Sequence, residues 1–184
     1  IMEMAKKAGM STGVVTTSQV TDATGAAFGA HVEKRSAQSE IAKQYLEKSK
    51  LDVILGGGED FWYPAGTAGK HPDAPAEDPE EASKGTQGNL VEQAKKLGYS
   101  YVTDQAEMKA AKGSKLLGLF ANEEMFQAHN KLGNSYNPTV SLPDMTAKAI
   151  DVLSKNKKGF FLMVEEEGTD EMAHDYSDEE MQMI

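Results

Sequence analysis

The chain has 184 residues, 39% hydrophobic and 7% aromatic, enough for one globular domain with a modest core or for part of a larger one. Its 19 basic and 29 acidic residues leave a net charge of −10, which argues against nucleic-acid binding through a basic footprint. No segment approaches the roughly 20 apolar residues of a membrane span, and the absence of cysteine removes disulfides, thiolate zinc sites and cysteine nucleophiles.

Residues 1 to 9 read as the tail of a helix ended by Gly9, with no signal peptide before it. Thr12 to Thr17 is β-branched and predicts a strand. Asp22 and Thr24 fall just past its carboxyl end, where open α/β sheets bind ligands. Thr24 has a plainer role open to it, as cap of the small-residue helix that runs on to Val32. His31 reads as a packed residue of that helix, and Arg35 as a solvated arginine in a charged patch. Ser36 to Lys50 sets Ile41, Ala42, Tyr45 and Leu46 on one side and predicts another helix. Leu51 to Leu55 predicts a buried strand closed by Gly56-Gly57-Gly58; no Gly-Lys-Ser/Thr follows, so a close-packed turn fits better than a phosphate loop.

Four of the chain's 6 prolines fall between residues 63 and 89, among acidic residues and glycines, which predicts a surface excursion from a single α/β domain portion spanning 1–184. Leu90 to Leu97 predicts a helix stopped by Gly98. Strands are expected at Tyr99 to Val102 and Lys115 to Ala121, with the helix Gln105 to Ala111 between them. Residues 122 to 138 form a polar connection containing His129, which has no patterned partner, and the same holds for His71. Ser141 caps a helix that has an acidic first turn and runs to about Lys155.

Phe160 to Val164 is wholly apolar and too short for a helix, so it predicts a strand buried on both faces, as in parallel sheets. Glu165, Asp170 and His174 follow directly. A helix past Gly168 would stand Asp170 and His174 one turn apart on one face, as two ligands of one metal ion require. The alternative is an acidic, solvated loop with a stray histidine. Ser177 to Glu180 reads as a further helix start, cut short. Strands and helices alternate without an internal repeat, which predicts an α/β fold with a mostly parallel sheet covered by helices, incomplete at both ends.

Three stretches in this order resemble the alkaline phosphatase family. Thr21-Asp22-Ala23-Thr24 with Ala26-Ala27-Phe28 and Ala30-His31 looks like its post-strand motif, and Asp52 to Gly58 like its glycine-ended strand. Phe160 to Glu165, with Asp170 and His174, resembles its metal-ligand segment. The likeness runs over nearly the whole chain. It implies metal-dependent hydrolysis of small phosphate monoesters through a phosphoserine intermediate, with Zn2+ and Mg2+ as cofactors. By the same resemblance, Thr24 and Glu165 would be magnesium ligands, with Asp22 behind them holding magnesium-bound water. Asp170 and His174 would ligate one zinc, and Arg35, eleven residues after Thr24, would clamp the substrate phosphate. A homodimer in the periplasm or outside the cell is also implied.

The match is incomplete. No serine here stands in the family's Asp-Ser-Ala context, and the four histidines, 31, 71, 129 and 174, follow Ala, Lys, Ala and Ala, so the Asp-His pair of the second zinc is missing too. A central fragment of a longer enzyme, inactive alone, is the simplest account. The positions of Glu166 and Thr169 usually hold glycine and an apolar residue in the family, and with Glu167 and Glu171 there are three extra carboxylates, which add negative charge beside the metals. Two other readings stay open: an inert metal- or phosphate-binding module, and a related metallohydrolase of the sulfatase or phosphodiesterase kind.

Overall fold

Val14 and Val15 are adjacent in sequence and lie in different halves of the core, a consequence of the two-residue period of a strand. The computed structural model describes residues 1–71, 83–125 and 139–174, with the backbone only at 171, 172 and 174. Its strands are β1 (Ser11–Gln19), β2 (Val53–Gly57), β3 (Ser100–Val102), β4 (Leu116–Leu119) and β5 (Phe160–Glu165). They form one five-stranded sheet in the order β3-β4-β2-β1-β5, with every neighbouring pair parallel. The helices are α1 (Met2–Lys7), α2 (Ala23–Gly29), α3 (Gln38–Glu47), α4 (Leu90–Lys96), α5 (Gln105–Ala110), α6 (Leu142–Leu153) and α7 (Gly168–His174). The expected α/β architecture is therefore present, with all five expected strands.

On one face Val14, Ile54, Leu117 and Met163 pack with Met2 of α1, Tyr45 of α3 and Leu90 of α4. On the other, Val15, Val53, Leu55 and Leu116 pack with Met108 of α5 and with Met145 and Leu153 of α6. Each fully buried side chain of this kind contributes about 1.5–3 kcal/mol of transfer free energy, so both helical layers are held firmly. Helix starts follow local chemistry. Asn89 caps α4 through Glu92 N–H at 2.8 Å, Asp104 caps α5 through Glu107 N–H at 2.8 Å, and Ser141 caps α6, as expected, through Asp144 N–H at 3.3 Å.

Three expectations need correction. β5 is not buried on both faces: Val164 is 42% exposed, and Phe160, Phe161 and Leu162 are half-buried. Among the described residues β5 pairs with β1 alone, so an outer position replaces the flanking strand that a doubly buried strand needs. Thr24 is not a helix cap. α2 starts at Ala23, with Asp22 in the N-cap position. The same helix ends at Gly29, so His31 lies beyond it, largely exposed, with Nε2 3.4 Å from Glu3.

The triple glycine is close-packed, as expected, but Gly56 and Gly57 finish β2 and only Gly58 turns the chain. A Cβ on Gly56 would lie 2.8 Å from Thr16 O, one on Gly57 would overlap the Glu123 carbonyl, and Gly58 has φ +86°. The 3-10 turn that follows, Glu59–Phe61, sinks Glu59 into the fold. Its carboxylate accepts from Lys70 N–H at 2.6 Å, His71 N–H at 2.9 Å and Tyr101 O–H at 3.0 Å. These bonds tie down the near end of the predicted excursion. Residues 72–82, residues 126–138 of the connection, with His129, and the helix start at Ser177 lie outside the described residues.

Candidate active site

The chain moves from β1 to β2, β3 and β4 on one side, then places β5 on the other, so the winding of the sheet reverses beside β1. At such a reversal the loops leaving the carboxyl ends of the strands part and open a crevice. β1 enters that crevice as a polar tail, Thr16-Thr17-Ser18-Gln19. Thr16 and Glu165 are register partners, and Thr16 Oγ1 donates to Glu165 Oε2 at 2.8 Å. Thr17 Oγ1 donates to Glu166 Oε1 at 2.6 Å, and Gln19 Nε2 to Glu124 Oε1 at 2.7 Å. One strand end thus orients carboxylates that come from two other elements.

Asp22 sits three residues past β1. Its side chain makes no capping bond to α2, and its Oδ1 accepts from Arg35 Nη2 at 2.6 Å. Arg35 is therefore paired, not merely solvated, while 70% of its side chain stays exposed. Glu167 approaches from the β5 side and shares a side-chain hydrogen bond with Asp22. Burial, followed by the charge of Asp22, that hydrogen bond, and the charges of Glu165 and Glu124, pushes its carboxyl up to about 9. Its Oε2 is buried and has no hydrogen-bond partner among the described residues. Burial also raises the Glu124 carboxyl, opposed by the bond from Gln19. Gln19, Asp22, Arg35, Ser36, Gln38, Glu124 and Glu167 line a cleft of about 290 Å³. Beneath it the fully buried Tyr45 hydroxyl, without a hydrogen-bond partner among the described residues, has its pKa raised by burial and then by Glu165 and Asp22.

The structure thus brings together Asp22, Arg35 and Glu165. Thr24 lies exposed on the first turn of α2. Asp170 and His174 both fall on α7, one helical turn apart, with Asp170 exposed and its N–H 2.9 Å from Glu167 O; the side chain of His174 lies outside the described residues. His71 Nε2 lies 2.9 Å from Leu119 O. Among the described residues no three His, Cys, Asp or Glu side chains form a ready-made metal cage. Donor chemistry nevertheless suits a hard cation. Asp22, Glu165, Glu167 and Glu124 crowd their negative charges together, and one carboxylate oxygen is buried without a partner.

Sequence reasoning missed Glu124 and the β1 side chains that hold the carboxylates, and took Glu167 only as extra negative charge. The polar run at the end of an otherwise β-branched strand was a signal for the latter. Nothing local points to Glu124.

An arginine beside clustered carboxylates at a strand crevice of a parallel α/β sheet is an arrangement that cations, and through them an anionic ligand, can use. The family model for alkaline phosphatase matches residues 1–183. Alkaline phosphatase 4 of Bacillus subtilis is 39% identical over 180 residues, covering 95% of this chain and 34% of that protein. The alkaline phosphatase of Escherichia coli is 36% identical over 216 residues, covering 95% of this chain and 42% of that protein. Among solved structures, the cold-active alkaline phosphatase of a psychrophilic Shewanella superposes with a TM-score of 0.65 at 36% identity, over 89% of this chain and 34% of that one. The enzyme of the Antarctic bacterium TAB5 gives 0.69 at 28% identity, over 98% and 46%, and a variant of it was solved with Mg bound in its M3 site. The chain belongs to the alkaline phosphatase family. It spans 34% to 42% of the length of these curated relatives.

Proposed function

We propose that the whole protein hydrolyses phosphate monoesters in a metal-dependent reaction, and that this chain supplies the phosphate-binding arginine and part of the metal ligands. The observation that carries the reading is the Asp22–Arg35 pair at 2.6 Å beside Glu165 and Glu167, at the crevice where the order of the described strands reverses. An exposed guanidinium oriented by a carboxylate can grip phosphate oxygens with parallel charge-assisted bonds, which a lysine ammonium cannot do. Asp22 fixes its direction, and the surrounding carboxylates repel the ester unless cations neutralise them.

Thr24 and Glu165 would hold magnesium through oxygen, with Asp22 one layer behind, and Asp170 and His174 would contribute to a zinc site. Bound cations would supply positive charge to the phosphoryl oxygens. The nucleophilic serine of a phosphoserine route lies outside this chain, so the 184 residues alone are expected to turn over no substrate. Export from the cytoplasm and homodimeric assembly belong to the same proposal and rest on the family resemblance. No helix among the described residues is long and apolar enough to cross a membrane.

Hydrolysis of p-nitrophenyl phosphate by the whole protein at alkaline pH tests the reading. Turnover that disappears on chelation and returns with zinc and magnesium is the expected result. Absence of turnover with both metals present would favour the inert binding module, a reading that the missing Asp-Ser-Ala context keeps in play.

A further inference from the structure

The metal segment departs from its family pattern at Glu166, and the structure shows what that carboxylate touches. Thr17 Oγ1 donates to Glu166 Oε1 at 2.6 Å and accepts from Glu167 N–H at 3.1 Å. Glu166 Oε1 also accepts from Gly168 N–H at 3.0 Å, at the first residue of α7. A closed ring of hydrogen bonds therefore seats the start of the helix that carries Asp170 and His174. A glycine at 166 could not close it. One residue earlier, Thr16 Oγ1 accepts from Ser18 N–H at 2.9 Å. Its single hydrogen is left for Glu165 Oε2, which it meets at 2.8 Å. Both threonines are buried, at 1% and 0% exposure, so neither bond competes with bulk water.

We infer that Thr16 and Thr17 are positioning residues that set the two halves of the metal segment separately, Thr16 orienting Glu165 and the Thr17–Glu166 clasp seating α7 with Asp170 and His174. The inference rests on the reading of Glu165, Asp170 and His174 as metal ligands. Adjacent residues of a strand point to opposite faces, so the two hydroxyls act on different targets although they are neighbours in sequence. Groups that orient a ligand without touching the metal typically change its affinity by about 10- to 100-fold when lost.

The test is titration of the whole protein with each metal alone, Mg2+ by calorimetry and Zn2+ by competition with a chromophoric chelator. Thr16→Val is expected to weaken Mg2+ about tenfold or more while Zn2+ stays within about twofold, and Thr17→Val to do the reverse. Thr16→Ser and Thr17→Ser, which keep the hydroxyl, are expected to restore both affinities. General damage to the fold would instead weaken both metals together, and that result overturns the inference, as does wild-type affinity in either valine variant or failure of serine to restore it. If the buried valines prevent folding, Glu166→Ala opens the clasp from its outer side, and Zn2+ binding as tight as wild type then overturns the role of Thr17. Wild-type protein that takes up neither metal overturns the ligand reading and this inference together. Uptake by wild type with unaltered variants overturns the positioning role alone.

Discussion

Burial and the charges of Asp22, Glu165 and Glu124 push the Glu167 carboxyl up to about 9 from an ordinary 4.5, so in metal-free protein this group holds a proton that the unfolded chain has released. Between those two values the folded state binds more protons than the unfolded one, and stability falls as pH rises. The urea midpoint of chelated protein is therefore predicted to drop between about pH 5 and pH 9, with Arg35, through its bond to Asp22, as the cation facing the group. Glu167→Gln, which keeps the neutral shape, flattens that slope. A wild-type midpoint that rises over the window, or an equal slope in the variant, contradicts the account. Little of this was legible beforehand. Glu166 and Glu167 showed as extra negative charge, but the side chain of Glu166 and the backbone of Glu167 are held by one hydroxyl about 150 residues earlier in the chain, at Thr17, which no local pattern reveals.

At the scale of elements, the strands were the most legible part, because β-branched and apolar runs between glycines and helix caps leave few alternatives. β5 shows the limit of that logic. Phe160 to Val164 is as apolar as a central strand, yet its burial depends on neighbours that a run of residues cannot specify. α2 shows another limit, since Asp22 and Thr24 both suit a helix start and only the backbone decides between them. The glycine-rich end of β2 links element to site. Gly58 N–H donates to Glu123 O at 2.7 Å, which places the segment carrying Glu124 against β1. Gly57→Ala forces a methyl group into the Glu123 carbonyl and is predicted to destabilise the fold by roughly 1–3 kcal/mol. Urea denaturation measures this, and an unchanged midpoint would show that the turn is looser than its geometry implies.

For the molecule as a whole, a net charge of −10 and a crevice with three carboxylates to one arginine are poor starting conditions for binding a phosphate ester. On the proposed reading, Arg35 and cations held by the carboxylates would reverse the local field and so reconcile an acidic protein with an anionic substrate. The family could be recognised because its motifs recur in order along the chain. The site could be seen only in part, because side chains from β1, α2, β5 and the segment after β4 meet there through the sheet order β3-β4-β2-β1-β5. The most direct test of the central claim is the steady-state kinetics of p-nitrophenyl phosphate hydrolysis by the whole protein, with zinc and magnesium present, for wild type and Arg35→Ala. Loss of a charge-assisted grip on the phosphate is predicted to raise KM by about 10- to 100-fold, with a smaller effect on kcat. An unchanged KM in the alanine variant would contradict the account.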